Sequence, residues 1–383
     1  MIKALQRIMA AVLALSGSAA AQAPSATPQP CPGPNSGIST MSTIGAKGPQ
    51  RLIDANFPDP FVARFADRFY AYATGNQVGG AQMNVQHVTS RDLLRWSAAA
   101  EAFPAANLPV WVDKTHPQVW APEVMRIGPR YVLYYNARHA TLTRTETPDG
   151  QPAVTRQRHC LGAAVADRPD GPFVGINTPL VCSDFLNGVI DASVFEEAGQ
   201  LTLTFKDDSN CCAPGSAIYV QGLSPDGLAA VGPATKLLAN NDSPGEQDDW
   251  EWRVVEAPTM VKRHGTYWLF YSGNFFGNKN YAVAVLRCAS PRGPCSDQGD
   301  NPILWSHKET SLIGPGHQSV LQVGKRDLLF FHGWNADPDG REQPGVHQRC
   351  LYVSELRWPT IRGQVRPRVQ GGKPSSGPGS DRP

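Results

Sequence analysis

Asp59 sits in Phe57-Pro58-Asp59-Pro60, Asp191 in Val189-Ile190-Asp191-Ala192-Ser193-Val194-Phe195, and Glu256 in Val255-Glu256-Ala257-Pro258. Each acid opens a short apolar stretch, where an unpaired carboxylate is costly. Carboxyl groups gathered in such a setting can be pushed to different pKa values, so that one serves as an acid while another serves as a base. Those are the requirements of general acid–base chemistry. Two other polar residues occupy comparable places: Glu123 in Trp120-Ala121-Pro122-Glu123-Val124-Met125, and His317 in Gly314-Pro315-Gly316-His317-Gln318-Ser319. An isolated Asp-Pro would read as a solvated strand end. Acids at equivalent places in successive units point instead to a shared site.

The elements that must position these residues repeat with them. Each leading residue is followed by a turn and a second apolar or aromatic run: Phe69-Tyr70-Ala71-Tyr72, then residues 131–135, 201–205, 267–271 and 328–331. Leu201-Thr202-Leu203-Thr204 alternates with the period of a strand. The units recur roughly every 60 to 70 residues, enough for four short strands and their loops. Long amphipathic helical stretches are absent, while 36 Gly and 34 Pro supply turns. The expected fold is all-β, a five-bladed β-propeller. Its central channel would gather Asp59, Glu123, Asp191, Glu256 and His317.

The whole chain limits the alternatives. Of 383 residues, 41% are hydrophobic and the net charge is +2. No Lys/Arg run marks a nucleic-acid partner, and no zinc-type Cys/His spacing occurs. Lys3, Arg7, a short apolar run from Ile8 to Leu15 and small residues up to Ala21 or Ala23 read as a signal peptide over 1–23. The apolar run is too short for a membrane span, so export to the periplasm or beyond is expected. Residues 24–50 read as a Pro/Ser-rich linker, 51–368 as the propeller and 369–383 as a disordered tail. Eight cysteines in an exported chain favour disulfides. Cys288 and Cys295 are close enough to pair. Cys31, Cys160, Cys182, Cys211, Cys212 and Cys350 are left open. Cys211 and Cys212 are expected to bond to different partners, because a bond between neighbours is strained.

Taken together and in order, the five segments resemble those of glycoside hydrolase family 43, the group of five-bladed arabinanases, α-L-arabinofuranosidases and β-xylosidases. The resemblance covers about residues 52 to 368. It implies that Asp59 is the general base, that Glu256 is the general acid, and that Asp191 orients the acid and raises its pKa. In an inverting enzyme the acid and base stand about 6.5–9.5 Å apart, with room for water. Trp120-Ala121-Pro122 is similar to the family's second-blade signature and Gly314 to Ser319 to its fifth-blade segment. Arg349 resembles the last-blade Arg that binds the terminal sugar; otherwise it is a surface Arg paired with Glu342 or Glu355. His317 resembles the histidine near an axial metal, which implies either a bound calcium ion or a hydrogen bond to substrate or water. No other cofactor is implied.

Glu123 is either a contact to a substrate hydroxyl or a structural acid. Trp120 and Phe275 are either platforms for a sugar ring or core. His332-Gly333-Trp334 is expected at the pocket rim, and the pocket's shape is left to the segments 103–119 and 137–160. The resulting expectation is a monomeric, exported, inverting hydrolase of plant-wall pentose glycans, an α-L-arabinofuranosidase or a β-xylosidase. The alternatives are an endo-arabinanase, a retaining β-fructosidase-like propeller, and a non-catalytic carbohydrate-binding propeller. The fructosidase motifs Asn-Asp-Pro-Asn, Arg-Asp-Pro and Glu-Cys are not met by Pro58-Asp59-Pro60, Ile190-Asp191-Ala192 and Glu256-Ala257. The binding propeller could have lost an acid, and this chain retains all three.

Overall fold

The structure is a computed structural model. It describes residues 40–373, apart from 79, 149–150, 183–186, 213–214, 241–249, 308 and 337–345. The expected signal peptide lies outside the described residues, as do most of the expected linker and the tail from 374.

Five antiparallel sheets form a five-bladed β-propeller. Blade 1 runs outward from Phe61–Phe65 through Arg68–Thr74 and Val85–Ser90 to Ala100–Glu101. Blade 2 comprises Trp120–Ile127, Arg130–Glu146, Val154–Ala166 and Val174–Gly175. Blade 3 comprises Val189–Glu197, Gln200–Asp207, Ala217–Leu223 and Ala230–Ala239. Blade 4 comprises Val255–Arg263, Thr266–Gly273, Ala282–Cys288 and Cys295–Ser296. Blade 5 takes Gly316–Val323, Arg326–Trp334 and Arg349–Arg357 from the end of the chain, and its outermost strand, Gln50–Ile53, from the beginning.

Five apolar clusters fill the gaps between neighbouring blades. Between blades 5 and 1, for example, Leu328, Phe330, Leu351 and Val353 meet Phe57, Val62, Phe69 and Ala71. A middle strand is covered on both faces, which is why residues 327–334 are buried without a break. The folded body also takes in residues assigned to linker and tail. Ile44 is fully buried, and Arg368–Val369 pairs with Arg349–Arg357.

Two loop expectations change. Most of the segment 137–160 is not loop but a long hairpin, because Arg130–Glu146 and Val154–Ala166 stay paired out to Glu146 and Val154. Cys211 and Cys212 bond to each other, not to separate partners: their Cα atoms lie 3.7 Å apart, within a tight turn. Cys288 pairs with Cys295 as expected, Cys160 with Cys182, and Cys350 is also disulfide-bonded. Cys31 lies outside the described residues.

Candidate active site

Each inner strand begins with a bulge, in which two residues face one on the second strand. Register shifts mark it between Trp120 and Glu123, Ile190 and Ser193, Glu256 and Thr259, and Gly316 and Ser319. The first bulge residue has left-handed φ in all five blades: Asp59 (53°), Ala121 (47°), Asp191 (59°), Ala257 (52°) and His317 (51°). Such a conformation is uncommon outside glycine, and its fivefold recurrence marks a built feature. It also corrects the repeat register. Asp59, Asp191 and His317 are equivalent, but Glu256 stands one residue before the equivalent position and Glu123 two residues after it.

A second ring supports the first. Opposite the residue before each bulge stand Thr74, Asn136, Lys206, Ser272 and His332, on the second strands. Four of them accept the bulge N–H of the next blade. Ala121 N–H donates to Thr74 Oγ1 (2.9 Å), Asp191 N–H to Asn136 Oδ1 (3.4 Å), His317 N–H to Ser272 Oγ (2.8 Å) and Asp59 N–H to His332 Nδ1 (3.2 Å). Lys206 has no acceptor to offer. In that blade Asp191 Oδ2 accepts the Ala257 N–H instead, at 2.9 Å.

Above these rings lies a pocket of about 570 Å³. Asp59, Asp191, Glu256, Trp120, Phe275, His317 and Arg349 all line it, together with Asn56, Asn76, Asp208, Asn210 and Phe276. Glu123 does not. It is half-buried beside an axial cavity of about 20 Å³, where Val194 N–H donates to Oε1 at 3.1 Å and burial pushes its carboxyl up to about 7. His332 and Trp334 are not at the rim. Both are fully buried, His332 beneath Asp59 and Trp334 donating its Nε1–H to Phe276 O at 2.8 Å. A second cavity of about 500 Å³ shares Trp120 and Asp208 with the first. Its other walls, Arg138, Arg144, Arg156 and His159, belong to the long hairpin of blade 2. Trp120 and His159 pack ring against ring, with centroids 4.2 Å apart.

The carboxylates differ in their partners. Arg349 Nη1 donates to Asp59 Oδ1 at 2.7 Å and Thr74 Oγ1 to Asp59 Oδ2 at 2.6 Å, while His317 Nδ1 lies 3.4 Å from Oδ1. Burial alone would raise this carboxyl, but Arg349, His317 and the Thr74 hydroxyl outweigh it and hold Asp59 well below the usual range. Arg349 is buried between Phe276 and Trp334, 5.0 and 5.6 Å from their ring centres, and pairs with the Asp59 carboxylate within the site. His332 is neutral, because burial and the neighbouring Arg349 hold it well below its usual pKa, in keeping with an Nδ1 that accepts a hydrogen bond. Asp191 goes the other way. Burial, with Glu256 as a like charge, pushes it up to about 6 against the pull of His317 and Lys206. Glu256 receives only donors: Tyr281 OH on Oε1 at 2.7 Å, and on Oε2 Lys206 Nζ at 3.1 Å and Asn210 Nδ2 at 3.5 Å. Gly316 leaves room for that tyrosine, since a Cβ there would lie 1.9 Å from the ring.

Thr74, Lys206 and Tyr281 were missed as functional residues, and His332 was expected at the rim rather than beneath Asp59. Four of the five ring members directly follow an aromatic residue, as in Tyr135-Asn136, Phe205-Lys206, Tyr271-Ser272 and Phe331-His332, and that regularity was available in the sequence. For a metal, the described residues hold no group of three or more His, Cys, Asp or Glu side chains able to bind one. His317 faces Asp59 and stacks near His332, with ring centroids 6.2 Å apart.

Comparison with known proteins gives a consistent picture. The profile of "Glycosyl hydrolases family 43" matches residues 51–358. An extracellular exo-α-(1→5)-L-arabinofuranosidase of Streptomyces chartreusis is 25% identical over 293 residues, covering 72% of this chain and 79% of the relative. Xylosidase/arabinosidase 43A of Humicola insolens is 26% identical over 287 residues, covering 67% and 75%. β-D-galactofuranosidase xynD of Aspergillus niger is 23% identical over 313 residues, covering 76% and 80%. Among solved structures, a thermostable family-43 glycoside hydrolase superposes with a TM-score of 0.64 at 23% identity, over 85% of this chain and 97% of the other.

Proposed function

Since the chain belongs to glycoside hydrolase family 43, we propose that it is an exported, inverting glycosidase that cleaves α-L-arabinofuranosidic or β-xylosidic bonds of pentose glycans. The observation that carries the reading is the opposed electrostatics of the acids in one pocket. Arg349, His317 and the Thr74 hydroxyl hold Asp59 ionised, while burial and the like charge of Glu256 push the Asp191 carboxyl up to about 6. An ionised Asp59 takes a proton from water as the water attacks the anomeric carbon. Glu256 gives its proton to the glycosidic oxygen as the carbon–oxygen bond breaks and its electron pair leaves with the departing sugar. Asp191 is bonded to the backbone of the residue after Glu256, so it orients the acid and opposes its premature ionisation.

Arg349 and the half-buried faces of Trp120 and Phe275 serve the bound sugar, and the second cavity gives space to the chain attached to it. His317 acts on Asp59 rather than on a metal in this reading, and a calcium ion is not required. The pentose assignment leans on the arabinofuranosidase and xylosidase relatives. Export leans on the extracellular relatives and on the disulfides.

The test is a panel of nitrophenyl glycosides comprising α-L-arabinofuranoside, β-D-xyloside and β-D-galactofuranoside. Proton NMR of the first-formed sugar accompanies it. Turnover of a pentoside with inversion is expected. Retention of configuration, or hydrolysis of the galactofuranoside alone, would overturn the assignment.

A further inference from the structure

Four of the five second-strand residues that face the axis end in acceptors, and blade 3 is the exception. Thr74, Asn136, Ser272 and His332 each take the bulge N–H of the following blade. An ammonium cannot do so. Lys206 is fully buried, bonds Asn210 Oδ1, and places Nζ 3.1 Å from Glu256 Oε2. A buried cation without countercharge is costly, so its position needs a reason. We propose that Lys206 is a positioning residue for the general acid, holding the Glu256 carboxylate for proton delivery and setting the upper pH at which the enzyme works. The proposal rests on the reading of Glu256 as the acid.

The surroundings decide the sign. Asp191, Asp207 and Asp208 of blade 3 face Lys206, as does Glu256 of blade 4. Tyr281 of blade 4 donates to Glu256 from the other side, and His317 of blade 5 acts on Asp191. Three donors therefore meet the carboxylate that Glu256 becomes once its proton has passed to the glycosidic oxygen. Stabilising that anion makes proton transfer easier and makes the acid lose its proton at lower pH. Asp191 pulls in the opposite direction. The bulge N–H that a neutral residue at 206 could have accepted falls to Asp191, which ties the two effects to one exchange of partners.

The experiment compares Lys206→Met and Lys206→Arg with the unaltered protein on a nitrophenyl pentoside and on a natural oligosaccharide with a poor leaving group. Removing the cation should move the alkaline limb of kcat/KM up by about one pH unit. It should slow the natural substrate by about tenfold and the activated one far less. Lys206→Arg should keep the limb near its original place. Should Lys206→Met not fold, the double variant Lys206→Met/Asp191→Asn keeps the local net charge, and its limb should lie above that of Asp191→Asn alone. An unmoved limb in a folded methionine variant, or an arginine variant that behaves like methionine, overturns the proposal. If the unaltered protein hydrolyses no glycoside at all, the functional reading fails, and the proposal with it.

Discussion

Asp59 and Asp191 occupy the same position of two blades. Both open a bulge, both have left-handed φ, at 53° and 59°, and both line one pocket. Yet one carboxyl is held far below the ordinary range and the other is pushed up to about 6. The backbone treats them alike, and their side-chain neighbours do not. Asp59 meets a guanidinium and a hydroxyl, while Asp191 meets one backbone N–H and the neighbouring acid Glu256. The repeat delivers carboxylates to the axis, and departures from the repeat in the surrounding strands shift their ionisation in opposite directions.

The comparison breaks most visibly in turnover. Asp59→Asn removes the carboxylate proposed to accept the water's proton, so activity should fall about 10²–10⁴-fold on every substrate. Asp191→Asn should leave more activity on nitrophenyl glycosides, since these need little help from an acid; steady-state kinetics of both variants decides it. Near-normal turnover by Asp59→Asn would end the distinction.

Stability should separate the two with opposite signs. Asp59→Asn removes the carboxylate that accepts from the Arg349 guanidinium and the Thr74 hydroxyl and should cost about 2 kcal/mol in denaturant unfolding. The Asp191 carboxyl has a folded value of about 6 against an ordinary value of about 3.9, so the folded chain holds that proton more tightly than the unfolded chain does. Ionising Asp191 therefore costs stability above pH 6, and the cost fades as pH falls towards about 4. Asp191→Asn should accordingly stabilise by on the order of 2 kcal/mol at pH 7.5 and by nothing near pH 4. A destabilised Asp191→Asn at both pH values would contradict this.

The pH–rate profile sharpens the contrast further. With the carboxylate at 191 gone, nothing of like charge opposes ionisation of the acid from that side. The alkaline limb should move down by about one unit in Asp191→Asn. The smallest effect is expected from Thr74→Val. It removes one neutral donor from Asp59 and one acceptor from Ala121 N–H, for about a fivefold loss of kcat/KM and a slight rise of the acid limb.

The fold was legible because a propeller writes its pattern locally. An apolar strand, a turn and an aromatic strand recur, and strand alternation reports burial without knowledge of distant partners. Asp59, Asp191 and His317 were correctly aligned for the same reason. Glu123 and Glu256 were not, because a bulge makes two residues face one partner and thereby changes which side chain points to the axis. Arg349 could be named as a candidate, but its pairing with Asp59 could not, since Asp59 lies 290 residues away in the chain. Lys206 escaped notice because a charged residue next to Asp207 and Asp208 looks like an exposed turn until the neighbouring blade is in place. The pair Cys211–Cys212 was misjudged because local strain was weighed without the turn that accommodates it.

Blade 5 is assembled from the two ends of the chain, and this gives the enzyme a built-in proof of completeness. Gln50–Ile53 docks on Arg349–Arg357, and the residue that opens the latter strand is the one that compensates the charge of Asp59. A chain cut short before Arg349, or not yet released in full, lacks both the strand on which Gln50–Ile53 docks and the cation. Its other blades could stack, but the ring would gape at the point where the Asp59 carboxylate and the guanidinium meet. Partial products should then be inert rather than weakly active, so that hydrolysis switches on only with the last strand in place.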